Sequence, residues 1–411
     1  MSELKLRPPK MPDIEAIQAE LRASKIDGWL FYDHHHRDPI GARVLRLGGL
    51  EGSGRLSDGM ATRRWFYFIP SRGRPRKLVH RTEPGALDSL AGDARAYASW
   101  QELHISLRQL LAGGKKIAMQ YSPGNDIPSI GLVDAGTVEL VRKLGKKVVS
   151  SADLVQKFEA TWRPEQLASH VEAGQIVDRI VQGAFDHVAS AVHEALPVTE
   201  AELQQWILER FRANGLVSVE PPIAAVQPNN SLPHYQPRAG ASRAIRAGDL
   251  LLLDVWAKLD RPGSVYYDVT WMGYLGERVP GAYAKIFRIV KEARDRAIEF
   301  VAEAVAQGRE IHGWEVDRAA RETIRKAGYA KYFVHRTGHS IGQEVHGNGA
   351  NMDGLETRDT RRVIPSTCFS IEPGIYLPEF GVRSEVNVYV GEREARVTGA
   401  VQQEILPLLA R

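Results

Sequence analysis

LLLLDVWAKL, residues 250–259, reads as a strand on its way through a core, with four leucines, a valine and a tryptophan around one aspartate, Asp254. A lone carboxylate in such surroundings is costly unless it is paired or bound to a cation. Three other apolar runs repeat the anomaly: Asp268 in YYDVTW (266–271), Glu372 in FSIEPGIY (369–376) and Glu385 in RSEVNVYV (383–390). Each acid by itself could pair with a neighbouring Arg or Lys, with Arg383 the best partner for Glu385, or face solvent. Four acids in four apolar strands are hard to ascribe to chance.

His339 stands between the second and third of these acids in the chain, in the glycine-flanked turn GHSIG (338–342). With the four acids it makes a donor set of four carboxylates and one imidazole, which suits Mn, Fe, Co or Zn. Two divalent cations would bring +4 against −4, so a binuclear centre would be nearly neutral and could be buried.

Working outward, the chain has 411 residues, of which 43% are hydrophobic and 25% charged. That composition excludes a disordered or collagen-like protein and allows two or three domains. No run of about 18 apolar residues could span a bilayer, and the first residues, MSELKLRPPKMPDIEAIQ, lack the apolar stretch of a secretory signal. A cytoplasmic protein is expected. A single cysteine, Cys368, removes any disulfide framework and any cysteine-based zinc site, so any metal must rest on His and carboxylate. Residues 1–160 carry 25 basic and 18 acidic residues, a net of +7; the remainder carries 29 and 32, a net of −3. The densest basic cluster, RGRPRK (72–77), lies between two strand-like runs and reads as a solvated hairpin loop. Neither a nucleic acid nor a membrane is expected as a partner.

Up to about residue 160, strand-like runs (28–32, 65–69, 116–121) alternate with helical ones (13–24, 100–112), the rhythm of a small mixed or parallel sheet. A long helix is expected from Glu165, and a second from Thr199, where Thr-x-x-Glu to Glu202 is a capping-box pattern. Two more span 281–306 and 313–327, between strands at 250–258, 265–275, 368–377 and 382–390. The fold class is α+β: a smaller α/β domain over 1–160 and a larger α+β domain over 161–411.

Several motifs fail on their own terms. His34-His35-His36 reads as a polar loop, because adjacent histidines point apart. GHSIG has the form of a nucleophile elbow, but no Asp and His follow at the separation a hydrolase sheet requires. His335 and His339 are four apart like a zincin pair, yet Arg336 stands where Glu is needed and Gly338 interrupts a helix. The glycines at 48–54 lack the order and the following helix of a dinucleotide-binding loop.

At the acids and His339 the sequence resembles the creatinase/aminopeptidase P/methionine aminopeptidase superfamily, M24-type peptidases with the pita-bread fold. The resemblance covers residues 165–411 closely, and residues 1–160 more loosely resemble the creatinase-type N-terminal domain of its aminopeptidase P and prolidase branch. It implies two divalent metal ions, Mn first and Co, Zn or Fe as alternatives, on Asp254, Asp268, His339, Glu372 and Glu385. Of the accessory residues, His234 in PHYQP resembles the histidine ahead of the first aspartate, and His346 in VHGNG the one after the Gly-His turn. His335 and Arg383 resemble positions around the substrate in the proline-specific branch. The interval of 14 between Asp254 and Asp268 is filled by a turn signal, DRPG (260–263). VHGNG lacks the acid and proline often seen beyond its histidine, a departure that bears on the substrate mouth.

The activity so implied is hydrolysis of the N-terminal bond of short Xaa-Pro peptides. The metals would acidify a bridging water and polarise the scissile carbonyl. Glu372 would serve as general base, His346 and His234 would steady the oxyanion and orient the substrate amide, and His335 and Arg383 would shape the leaving-residue side. A homodimer formed partly through the N-terminal domain also follows from the resemblance. Two readings of other classes stay open: a non-peptidase on the same fold, either a creatinase-like hydrolase or a metal-dependent lyase, and an inactive protein-binding module.

Overall fold

The computed structural model describes residues 12–47, 62–357 and 359–410. The glycines at 48–54 and the first eleven residues therefore lie outside the described residues. The chain divides into two compact units, Met1–Ala160 and Thr161–Arg411.

The first unit is built on a six-stranded mixed sheet in the order β4-β3-β2-β1-β5-β6. Its strands are β1 (Gly28–Asp33), β2 (Trp65–Pro70), β3 (Arg76–His80), β4 (Asp93–Tyr97), β5 (Lys116–Met119) and β6 (Lys147–Ser150). Its helices are α1 (Ile14–Ala23), α2 (Pro39–Leu45), α3 (Trp100–Leu110), α4 (Ala135–Lys143) and the short α5 (Ala152–Val155). Both faces of the sheet are covered. Trp29 and Phe31 of β1 pack with Ile17, Leu21, Ile40 and Val44 of α1 and α2, while Leu30 and Tyr32 face Leu103, Leu107, Val138 and Val141 of α3 and α4.

The basic run at 72–77 is only partly the expected loop. Arg76 and Lys77 belong to β3, opposite Phe68 and Tyr67 of β2. Lys77 is buried because its long stem covers apolar surface while its ammonium donates to the carbonyls of Leu87 (3.0 Å) and Leu90 (2.6 Å). His34, His35 and His36 lie in the β1–α2 connection, half-buried to exposed, with left-handed backbone at His35 and His36.

The second unit opens with α6 (Pro164–His193) and α7 (Glu200–Ala213), the latter started by the Thr199–Glu202 capping box. After β7 (Leu216–Val217) and β8 (Ile223–Val226) come β9 (Leu250–Leu259) and β10 (Tyr267–Tyr274), which pair antiparallel. Then follow α8 (Gly281–Ala306), α9 (Gly313–Lys326), β11 (Ser340–Ile341), β12 (Thr367–Ile371) and β13 (Gly374–Tyr376). The last strands are β14 (Gly381–Arg383), β15 (Val386–Val390), β16 (Ala395–Thr398) and β17 (Leu406–Pro407). One sheet runs β17-β10-β9-β7 with β8 also on β9, a second runs β11-β12-β15-β16, and β13 pairs with β14.

β9 shows how the sheet separates two cores. Its odd residues Leu251, Leu253, Val255 and Ala257 join the core under α6 and α7. Its even residues Leu250, Leu252 and Trp256 join the core shared with α8, α9 and the second sheet. Asp254 has even parity and so points the same way as Trp256, toward the second sheet. None of the described helices is long and apolar enough to cross a membrane.

The expected strands 368–377 and 382–390 are each broken in two. β12 pairs with β15 and β13 with β14, and the ladder is interrupted at Glu372-Pro373 and Ser384-Glu385. Proline has no amide proton to give to a ladder. The amides of the two glutamates turn elsewhere: Glu372 donates to Thr337 O (2.7 Å) and Glu385 to Thr270 O (3.3 Å). The breaks therefore stitch the hairpin to the turn carrying His339 and to β10.

Candidate active site

Asp254 and Asp268 come from neighbouring strands, in a register that sets Asp254 opposite Thr270 and Asp268 opposite Trp256. Both carboxylates thus project from one face of the β9–β10 hairpin. From the second sheet, Asn387 of β15 donates and accepts like a strand backbone: its Oδ1 takes the Asp268 amide at 3.0 Å, and its Nδ2 donates to the Asp268 carbonyl. This amide joins the two sheets at the Asp268 position.

His339 arrives from the turn before β11. Its amide donates to Ser370 Oγ (2.9 Å), and its carbonyl accepts from the Ser370 amide (2.9 Å). Such close docking needs Gly338, since a Cβ there would overlap the Ser370 carbonyl oxygen. The Ser370 hydroxyl also donates to Glu372 Oε1 (3.1 Å), so one serine positions two of the candidate residues.

All nine residues singled out in the sequence line one cavity of about 350 Å³: Asp254, Asp268, His339, Glu372, Glu385, His234, His335, His346 and Arg383. Trp256, Ile223, Val345, Gln236, Glu220, Arg336 and Glu356 complete its wall. His346 meets His339 edge-on, with ring centroids 4.4 Å apart. His234 sits exposed at the rim.

Arg383 pairs with Asp254 rather than with its chain neighbour Glu385. Its Nε donates to Thr270 Oγ1 (3.0 Å), and its Nη1 donates to Pro233 O (3.2 Å) and the Tyr376 hydroxyl (3.3 Å). Thr270 Oγ1 in turn lies 3.0 Å from Asp254 Oδ1 and 2.9 Å from Glu385 Oε2. A hydroxyl has one proton, so it serves one of these carboxylates at a time.

The electrostatics are those of acids crowded away from water. Burial and the neighbouring carboxylates Asp254 and Glu372 hold the Asp268 carboxyl well above the usual range, and burial with Asp268 and Glu372 does the same to Glu385. Burial pushes Glu372 up to about 7 against the pull of Arg383. It also lowers His339 well below its ordinary value, His346 to about 4 and His335 to about 3, so these rings are neutral at pH 7.

These side chains fit a divalent cation. One ligand atom from each of Asp268, His339 and Glu385 falls within 4.8 Å of the others, and all three residues are buried. Asp268 Oδ1 and Glu385 Oε1 are buried without a hydrogen-bond partner among the described residues, an arrangement that is costly unless a cation compensates it. The neutral ring of His339 has Nδ1 at 3.2 Å from Ser340 O and Nε2 facing Asp268 Oδ2 (3.5 Å) and Glu372 Oε1 (3.4 Å). With the ring proton on Nδ1, the Nε2 lone pair confronts two carboxylates, a repulsion that a divalent cation held by these residues would offset.

Reading the sequence missed the residues that hold this set together: Thr270, Ser370, Tyr376 and Asn387. For Thr270 a signal was present, since two residues beyond Asp268 on a strand is the same face. For Ser370 and Tyr376 none was, because a hydroxyl in a strand has many ordinary uses.

The sequence profile of metallopeptidase family M24 matches residues 168–392, a span containing all nine of the residues singled out in the sequence. A probable dipeptidase PepE of Mycobacterium tuberculosis is 26% identical over 335 residues, covering 79% of this chain and 80% of that relative. An Xaa-Pro dipeptidase of Pyrococcus furiosus is 27% identical over 259 residues, covering 62% and 67%. Among solved structures, that of the dipeptidase PepE from Mycobacterium ulcerans superposes with a TM-score of 0.71 at 23% identity, over 96% of each chain. The architecture is accordingly the pita-bread fold preceded by a smaller α/β unit. Profile match, fold and the buried Asp/His/Glu cluster agree, and the chain belongs to metallopeptidase family M24, a family of hydrolytic enzymes.

Proposed function

We propose that this metallopeptidase hydrolyses the N-terminal bond of short peptides with proline in second position, using two divalent cations. Manganese is the first choice, with cobalt, zinc or iron as alternatives. The observation carrying the reading is the buried cluster of Asp268, His339 and Glu385, in which one carboxylate oxygen of each acid has no hydrogen-bond partner among the described residues. The curated relatives named dipeptidase and Xaa-Pro dipeptidase support the substrate class.

Asp254, Asp268, His339, Glu372 and Glu385 would hold the ions. Ions of this kind, when bound, polarise a carbonyl and make a water acidic enough to ionise near neutral pH. The chain's own side chains do the rest. Glu372, steadied by Ser370, takes a proton from the attacking water and passes it to the departing amine. His346 and His234 face the cavity where the tetrahedral oxygen and the substrate amide need donors. His335 and Arg383, both bonded to the Tyr376 hydroxyl, form a fixed wall on the leaving-residue side.

The test is metal analysis of protein purified without chelator, followed by assay on Xaa-Pro dipeptides and longer Xaa-Pro peptides with Mn²⁺ added. Bound divalent metal and Mn²⁺-stimulated cleavage before proline are expected. Protein that binds no metal and shows no stimulated cleavage would end this reading.

A further inference from the structure

The net of +7 carried by residues 1–160 lies outside the catalytic unit, and part of it gathers around one cavity of the first unit. This cavity, of about 800 Å³, opens at the carboxyl end of β1. Open α/β sheets place ligands at the carboxyl ends of their strands, and β1 lies inside its sheet with β5 parallel beside it. Tyr32 and His34 line the cavity from β1 and the connection that follows, and His104 from α3. Gly136, Leu140 and Lys143 line it from α4, where their spacing of four and three residues puts them on one helix face.

The charges of the lining are one-sided. Arg37, Arg63, Arg64 and Lys143 belong to it, and none of these four cations forms an ion pair among the described residues. Other arginines of the unit do: Arg43 meets Glu159 at 2.7 Å, and Arg81 meets Glu102 at 3.4 Å. The Arg63 guanidinium bonds only its neighbour Thr62, with Nη1 at 3.2 Å from both the carbonyl and the hydroxyl oxygen. The lining has one carboxylate, Asp134, and both its oxygens are engaged in capping α4: Oδ1 accepts from the Thr137 amide (2.8 Å) and Oδ2 from the Thr137 hydroxyl (2.8 Å). Counting arginine, lysine and aspartate, the cavity carries a net of three positive charges. A concave surface focuses such charge on an incoming anion.

The geometry points to a second ligand site here, one that takes a small phosphate-bearing polyanion. Guanidinium forks match phosphate oxygens with paired hydrogen bonds, and three of the four cations are arginines. Two phosphate groups bring about −3 to −4, the compact charge that would balance this lining. Leu140 and the Tyr32 ring offer the carbon part of such a compound an apolar surface. A nucleic acid is the poorer fit, since its row of phosphates calls for a stripe of cations along a face, whereas these converge on a cavity. The site is independent of the peptidase reading, whose residues all lie in the second unit.

Calorimetric titration of the full chain with inorganic diphosphate tests the site, on the protein as purified and again after chelator treatment, because diphosphate also binds divalent metals. One diphosphate per chain is expected in both preparations. Arg64→Ala and Lys143→Ala should each weaken binding by roughly 10- to 100-fold, the loss of one charged hydrogen-bond partner. Arg108→Ala, at an exposed arginine of α3 outside the lining, should leave it unchanged. None of the three side chains is buried, so the variants should keep the wild-type thermal midpoint. No binding, binding that disappears with the metal, or equal losses in Arg108→Ala and Arg64→Ala would overturn the assignment. Citrate and a short oligothymidylate complete the comparison. Either of them binding as tightly as diphosphate would put a carboxylate compound or a nucleic acid in place of the phosphate compound, and so overturn it.

Discussion

Glu372 is a carboxylate that the Ser370 hydroxyl holds at 3.1 Å on the cavity wall, a position from which it can accept and return a proton. Glu372→Gln keeps size and hydrogen bonding and removes the basicity. We expect kcat to fall by roughly 10²–10⁴-fold with the circular dichroism spectrum unchanged; metal content is determined alongside, because Glu372 is also a proposed ligand. A variant that turns over normally would take the proton-transfer role away from it. Glu372, like Asp254, was legible because a charge in an apolar strand is out of place. Ser370 and Thr270 were not, although the geometry of five candidate residues depends on them.

At the level of elements, the site exists because strands stop being regular where they reach it. The hairpin of β12–β13 with β14–β15 loses its ladder at both glutamates, and the amides so released bond Thr337 and Thr270. The turn before β11 docks only because residue 338 is glycine. Gly338→Ala forces the turn off the Ser370 carbonyl and moves His339 with it. The cost should be at least the ~1–3 kcal/mol of an overpacked core, read as a lower urea midpoint, together with weakened Mn²⁺ binding. Unchanged values of both would show that β12 yields more easily than its burial indicates. Continuous strands were expected here because hydrophobicity reports burial along a segment and says little about where pairing breaks.

Across the second unit, His170 of α6 ties distant parts of the chain together, with Nδ1 at 2.6 Å from Tyr266 O and Nε2 at 2.6 Å from Thr398 Oγ1 of β16. Burial lowers it to about 4, whereas the unfolded chain takes up that proton near 6.5. Between those values the unfolded state binds more protons. Stability from this group is therefore complete above pH 6.5 and is lost as pH falls toward 4, by an amount on the order of 3 kcal/mol. Denaturation of wild type and His170→Gln from pH 7.5 to 4 should give curves that converge toward acid, the variant being less stable at neutral pH and flatter below it. Parallel curves would mean that His170 takes a proton without unfolding cost. Nothing in the sequence distinguished this histidine, whose partners lie 96 and 228 residues away.

The sequence by itself determined the class of fold and which charged residues stand out of place in it, since periodicity encodes which face is buried and a charge breaking that pattern marks a demand that only a partner or a cation can meet. Tertiary structure alone decided how those residues are held. Arg383 chose Asp254 over Glu385, and one threonine and one serine came to organise five of the candidate residues. Those outcomes depend on register between strands and on where a ladder breaks, and both are settled by packing between segments far apart in the chain.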